Sequence, residues 1–379
     1  MRVLHINGGN LYGGVESILV TLARCRGLCP GMESAFAVCF EGRLSRELRE
    51  NGVAVHSLGE VRSSRLWTVA AARRRLRELL RGHSFDAVIC HMAWSHAIFG
   101  AEVRRARIPL VYWAHGSATG RHWLEWWARR SRPDLAIANS RFTAGSMSRL
   151  FDSVPVEVVY CPVPMPENGH PDRAAIRGAL GVAEDAVVIL QVSRIEPGKG
   201  HELHLRALAE LREEPSWICL IAGGAQRPAE NRLLESLHRQ VEDLGLSGRV
   251  RFLGQRSDVS ALMAAADIFC QPNHSPDTFG IVFIEAMAAG LPVVTTAMGG
   301  ATEIVTDACG RLIPPGDARA LTACLRTWIR SPALRRALGD AGPARAATLC
   351  DPASRLCQLE HALAALPGNT ESQYHRQPR

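Results

Sequence analysis

Lysine is almost absent from this 379-residue chain: of its 44 lysine and arginine residues only Lys199 is lysine. No apolar run approaches the ~20 residues that a membrane-spanning helix needs, which argues against a spanning segment. The 11 cysteines are scattered with no C-x-x-C pair, so the usual structural zinc patterns are excluded and reduced thiols in a cytoplasmic protein are expected. The chain opens directly on the strand-like Arg2–Ile6, without a signal-peptide layout. It has no G-x-S-x-G elbow, which argues against a serine hydrolase. His201-Glu202-Leu203-His204 falls one residue short of a zinc-protease motif, and His91, His96 and His122 show no metal-ligand spacing. All five histidines are expected to be structural or superficial. The net charge of +7 favours anionic partners, but no RNA-binding signature accompanies it, so nucleotide phosphates or acidic lipid are expected rather than nucleic acid.

What is present is a regular alternation. At 47% hydrophobic and 21% charged residues the chain is globular, and its length exceeds one ordinary core, so two domains are expected. Short apolar runs predict strands at Val3–Ile6, Ala35–Phe40, Val53–His56, Ala87–Cys90, Pro109–Ala114, Leu135–Ala138 and Val156–Val159. Helical patterns fall between them, among them Val15–Arg26, Trp67–Arg81 and Ala97–Arg107. Strand–helix alternation at this spacing means βαβ units and a parallel sheet. The proline-rich stretch Tyr160–Pro171 reads as a linker. Alternation resumes with strands at Val187–Val192, Ile218–Ala222, Val250–Leu253, Ile268–Gln271, Val293–Thr295 and Arg311–Ile313, then helices Asp317–Ser331, Pro332–Ala347 and Pro352–Leu366. From Gly368 the chain is polar and reads as a frayed tail. The fold class that follows is α/β, two doubly wound halves facing across a cleft, with ligands at the strand carboxyl ends.

The densest chemistry lies in the second half. Lys199 stands between Gly198 and Gly200, just after the strand Val187–Val192. A compact ammonium there suits an anionic ligand, and the bland alternative is a solvated loop. In Gln271–Val294 a strand gives way to a Pro/Asn/Ser loop and then to a helix starting near Gly280. The start of that helix offers free N–H groups and the positive dipole end to an anion. Glu285 lies inside it, placed to accept two ribose hydroxyls or simply exposed; Phe279 and Met287 read as core. His115, in Trp113-Ala114-His115-Gly116, follows a strand end, and by itself is as readily a satisfied structural histidine as a functional one. Gly13 and Gly14 precede a helix and allow close backbone approach, or form an ordinary turn.

Asp277 through Glu285 resembles the acidic-x7-acidic signature of family 4 retaining glycosyltransferases, also called group 1, which have the GT-B fold. Gly8–Glu16 resembles that family's N-terminal glycine loop, Arg194 through Lys199-Gly200 its diphosphate clamp, and Val250–Gly254 the segment beside the nucleobase. Thr296–Gly300 through Glu303–Val305 matches the stretch that follows the signature. The resemblance implies an acceptor-binding domain over 1–165 and a nucleotide-sugar domain over 166–350. The remaining 351–379 would be a C-terminal helix returning to the N-terminal domain and a tail. Arg194 and Lys199 would neutralise the donor diphosphate, aided by the N–H groups of Phe279, Gly280 and Ile281, with Gly13 and Gly14 approaching it from the other half. Glu285 would hold the ribose, and His115 would approach the donor sugar. Asp277 stands where the family has glutamate, which bears on donor preference. The chain lacks an Asp-x-Asp motif, and the clamp can replace a divalent ion, so no metal or other cofactor is expected. The implied reaction is retaining transfer of a hexose from a nucleotide diphosphate sugar to a glycan or lipid-linked hydroxyl. An epimerase or hydrolase on the same scaffold, and a non-catalytic binder, are the alternatives. Two arginine-rich stretches with tryptophans, Trp67–Arg81 and Arg121–Arg132, read as amphipathic helices that suit either a core face or peripheral contact with an anionic inner membrane face.

Overall fold

The computed structural model describes residues 1–9, 12–165 and 172–367. Asn10 and Leu11 of the glycine loop, the expected linker beyond Met165 and the tail from Gly368 lie outside the described residues. The chain divides into one unit of Met1–Pro164 with the chain from Cys350 onward, and a second of Met165–Leu349.

The first unit carries seven strands: β1 Arg2–Asn7, β2 Glu33–Val38, β3 Val55–Ser57, β4 Ala87–His91, β5 Leu110–Ala114, β6 Leu135–Ala138 and β7 Val156–Val158. They form one sheet in the order β3-β2-β1-β4-β5-β6-β7, every pair parallel. The second unit carries β8 Val187–Val192, β9 Trp217–Ala222, β10 Val250–Gly254, β11 Ile268–Gln271, β12 Val293–Thr296 and β13 Gly310–Ile313. Their order is β10-β9-β8-β11-β12-β13, again all parallel. In each sheet the order reverses once, between β1 and β4 and between β8 and β11, and the crevice at such a reversal is where doubly wound sheets take ligands. The central strands are apolar almost throughout because helices cover both faces: all of β4, β5 and β9 is buried.

Three helices differ from the sequence reading. The one expected at Ala97–Arg107 starts at Met92, directly off β4, and runs to Arg105. The one expected at Pro332–Ala347 is two, Pro332–Asp340 and Gly342–Cys350. Pro343 explains the break, since a proline cannot donate back into the preceding turn and its ring crowds that turn's carbonyl. The third, expected across Arg121–Arg132, is helical only over Trp123–Ala128. The final helix, Pro352–Ala364, belongs to the first unit: Gln358 Nε2 donates to the Val158 carbonyl of β7 at 2.9 Å, and the Cys29 thiol donates to Glu360 at 3.1 Å.

Candidate active site

In the second unit, the segments leaving β8 and β11 are locked to each other. After β8 the chain makes a short turn, Pro197–Lys199, and then Gly200 in the left-handed region at φ +69°. A Cβ on Gly200 would stand 1.7 Å from the Pro272 carbonyl oxygen, so only glycine lets the two segments lie this close. The His274 and Ser275 N–H groups both donate to the Gly198 carbonyl, at 2.8 and 3.1 Å. From below, buried Gln191 of β8 donates to the Lys199 carbonyl at 2.9 Å while its amide oxygen meets His204 Nδ1 at 2.8 Å.

This framework brings Lys199 and Asp277, 78 residues apart, into one ion pair of 2.5 Å. Asn273 Nδ2 donates to the other oxygen of Asp277 at 2.7 Å. Both side chains are about one-fifth exposed, so the pair is partly dry but open on one side. Asp277 thus holds the ammonium in place. Its main-chain oxygen is held in turn by the Gly300 N–H at 2.8 Å.

Three residues further on, Gly280 caps the helix Ile281–Ala288 at φ +106°, where a Cβ would meet the Phe283 ring at 2.4 Å. The N–H groups of Gly280 and Ile281 donate to no acceptor among the described residues. The start of the helix therefore presents unused donors and the positive dipole end close in sequence to Lys199's partner. Phe279 is buried, 2% exposed, and its side chain is core. Glu285 is half-buried in the second turn of the helix and its side chain makes no hydrogen bond among the described residues; burial raises its carboxyl pKa. A carboxylate in that state is an acceptor waiting for donors.

Arg194 lies in the same segment as Lys199 but is engaged elsewhere. Its guanidinium bonds Glu196 at 2.7 Å and approaches Glu230 at 3.6 Å, and no described contact joins it to Asp277 or Gly280. His201, expected to be structural, meets the Ser193 hydroxyl at 3.2 Å and anchors the same segment.

In the first unit, Gly13 and Gly14 are exposed at the start of the helix Gly14–Arg24, and the Gly13 N–H donates to Glu16 at 3.0 Å. Glu16 also accepts from Asn7 at the end of β1 at 3.0 Å. His115, just past β5, heads a row that the sequence reading missed. Its Nε2 lies 2.9 Å from His91 Nδ1 at the end of β4, and His91 Nε2 lies 3.0 Å from His5 Nδ1 in β1. The three rings stack at centroid separations of 5.1 and 5.3 Å, with Trp113 against both His91 and His115. All three are buried, and burial lowers the His5 and His115 pKa values to about 3 and that of His91 well below its ordinary value, where its two imidazole neighbours lower it further. Neutral imidazoles each have one donor and one acceptor, so the row fixes the tautomers together. The signal was a histidine inside the apolar strand Val3-Leu4-His5-Ile6. His96 and His122 have structural partners, the Ser131 carbonyl at 2.6 Å and the Leu124 N–H at 3.3 Å. Among the described residues no group of three His, Cys, Asp or Glu is arranged to hold a metal ion.

Residues 12–165 match the family described as Glycosyltransferase Family 4, and residues 172–345 match Glycosyl transferases group 1. The chain belongs to the group 1, family 4 glycosyltransferases. Its fold is GT-B. The Anabaena protein HepE, crystallised with UDP and glucose, superposes with a TM-score of 0.84 at 25% identity, covering 97% of this chain and all of that one. A Rickettsia africae glycosyltransferase superposes equally well, TM-score 0.84, at 19% identity and so speaks to the fold alone. A D-inositol 3-phosphate glycosyltransferase of Kineococcus radiotolerans is 33% identical over 231 residues, 56% of this chain and 53% of that protein. The chain spans about half the length of the curated relatives it matches. No helix among the described residues is long and apolar enough to cross a membrane.

Proposed function

We propose that this chain transfers a hexose from a nucleoside diphosphate sugar to a hydroxyl acceptor, with the anomeric configuration retained. The observation that carries the reading is the Lys199–Asp277 pair beside the free N–H groups of Gly280 and Ile281. A diphosphate seated there meets a cation already held in place and two backbone donors, so the negative charge that grows on the leaving group is stabilised without reorganisation. Lys199 touches the diphosphate. Asp277 positions Lys199, and its carboxylate is one methylene shorter than the family's glutamate. Glu285 accepts the two ribose hydroxyls, which supplies the donors that its half-buried carboxylate lacks. Arg194 joins the diphosphate by exchanging its Glu196 contact for the ligand. His115 presents a neutral imidazole to a sugar hydroxyl. The charge complement on the protein makes the reaction independent of a divalent ion.

The donor expected first is a UDP-sugar, because HepE, similar along its whole length, is crystallised with UDP-glucose as well as with UDP. The acceptor is read as a glycan, polyol phosphate or lipid-linked hydroxyl; the named relatives act on an inositol phosphate. The test is incubation of α-linked UDP-, GDP- and ADP-hexoses with an acceptor panel in the presence of EDTA, with proton NMR of the product. An α-glycoside is the expected result. A β-glycoside would overturn retention, rapid donor consumption without acceptor would favour a hydrolase, and activity only with added divalent metal would overturn the metal-free reading.

A further inference from the structure

A cavity of about 330 Å³ opens on the first unit, lined by Arg129, Arg132 and the segment from Ser148 through Arg149, Leu150 and Phe151 to Asp152. Two of its three guanidinium groups, those of Arg129 and Arg132, are held by main-chain carbonyls. Arg129 donates to Leu150 and Gly120, each at 3.2 Å, and to Arg149; Arg132 donates to Ser153 at 2.5 Å. The Arg149 side chain makes no described hydrogen bond. Among the described residues none of the three forms an ion pair, and Asp152 is the one acid in the lining. Carbonyl partners fix a guanidinium without neutralising it, so the cavity keeps a concentrated positive charge.

The short helix Trp123–Ala128 leads directly into this cavity. Trp123 and Trp126 share its outer face and are 54% and 67% exposed. Trp127 turns inward instead, with the Arg73 guanidinium 5.6 Å from its ring centroid. A core face would have buried the first two. Between residues 121 and 152 the chain carries Arg121, Arg129, Arg130, Arg132, Arg141 and Arg149 against three acids. Of those acids, Glu125 is buried and bonded to Thr119, and Asp134 is bonded to Arg104. Two neighbouring exposed indoles at the edge of an unneutralised arginine cavity combine the two things an anionic bilayer surface offers partners for: interfacial burial of an amphipathic ring and a headgroup phosphate.

We propose that the Arg129–Arg132–Arg149 cavity binds the phosphate of an anionic lipid headgroup, with Trp123 and Trp126 lying in the headgroup layer. The proposal is independent of the transfer reading, because its readout is binding alone. The test uses the full chain with vesicles of phosphatidylcholine, either pure or mixed with phosphatidylglycerol. Binding is expected to rise with the anionic fraction and to fall as salt is added. An arginine near an anionic surface contributes about fivefold. Arg149→Glu removes one and adds a repulsive charge, so a loss of about tenfold or more is expected, with a smaller loss for Arg149→Gln. Trp123→Ser with Trp126→Ser should weaken binding and remove the quenching of tryptophan fluorescence by brominated lipid. Equal binding to both vesicle types, or an unchanged Arg149→Glu variant, overturns the proposal. So does Arg149-dependent binding of glycerol phosphate or inorganic phosphate without any vesicle binding, which would assign the cavity to a small soluble anion.

Discussion

The two units share a strand order and a point of reversal, yet they place opposite chemistry at it. At the β1–β4 reversal of the first unit stand buried neutral imidazoles, His5 and His91, extended to His115 beyond β5. At the β8–β11 reversal of the second stands a charged pair, Lys199 and Asp277, partly open to solvent, beside a helix start. The difference teaches where the specificity of such a site resides. The sheet supplies a place where loops meet, and the residues within and beyond the carboxyl halves of its strands decide whether that place holds a fixed charge for an anion or a set of uncharged hydrogen-bonding rings.

Breaking the charged side should have the largest effect. Lys199→Ala is expected to lower kcat/KM by about a hundredfold to a thousandfold, the usual cost of removing one donor from a developing anion. Steady-state kinetics with the preferred donor checks this. Lys199→Arg should recover little of the loss, since a planar fork does not occupy the position of the ammonium between Asp277 and the ligand. Glu285→Gln sharpens the same side. It removes an ionised acceptor and should weaken donor binding about tenfold to a hundredfold by calorimetry, with binding of the sugar-free and base-free diphosphate unchanged.

Breaking the neutral side should act on stability first. His91→Leu removes the imidazole that His5 and His115 both meet and is expected to cost about 1–3 kcal/mol in denaturant unfolding, while donor affinity in calorimetry stays near that of the unaltered chain. The neutral side also predicts a pH dependence. The three imidazoles have native pKa values below their unfolded value of 6.5, with His5 and His115 at about 3, so the unfolded chain binds more protons between these limits. Stability therefore rises with pH, and it is lost as pH falls below about 6.5, by about 1 kcal/mol per imidazole at pH 5.5. Melting temperatures at pH 7 and pH 5.5 check the sign, and the drop should be smaller in His91→Leu.

The sequence and the structure agree most closely where burial on both faces leaves an unmistakable pattern. Val187–Val192, Ile268–Gln271 and Leu135–Ala138 are strands with the bounds expected from their apolar runs. The helix beginning at Gly280 was legible too, because glycine and the loop residues before it are local signals. Partnerships were not. The Lys199–Asp277 pair spans 78 residues and the His5–His91 contact 86, and nothing local in either segment encodes its partner. Arg194 showed the same limit, since the two carboxylates on its guanidinium are visible only in three dimensions. The missed break at Pro343 is different in kind: the signal was present, and the apolar periodicity across it outweighed a residue that a helix accepts only in its first turn.

The single lysine makes the central claim directly measurable. The chain can be treated with a small amine-reactive reagent, and modification of the Lys199 peptide followed by mass spectrometry with and without saturating UDP-sugar. A diphosphate seated against Lys199 predicts that the nucleotide sugar slows its modification severalfold or more while the reaction at the N-terminal amine is unchanged. Equal rates at Lys199 with and without a nucleotide sugar that demonstrably binds would contradict the account.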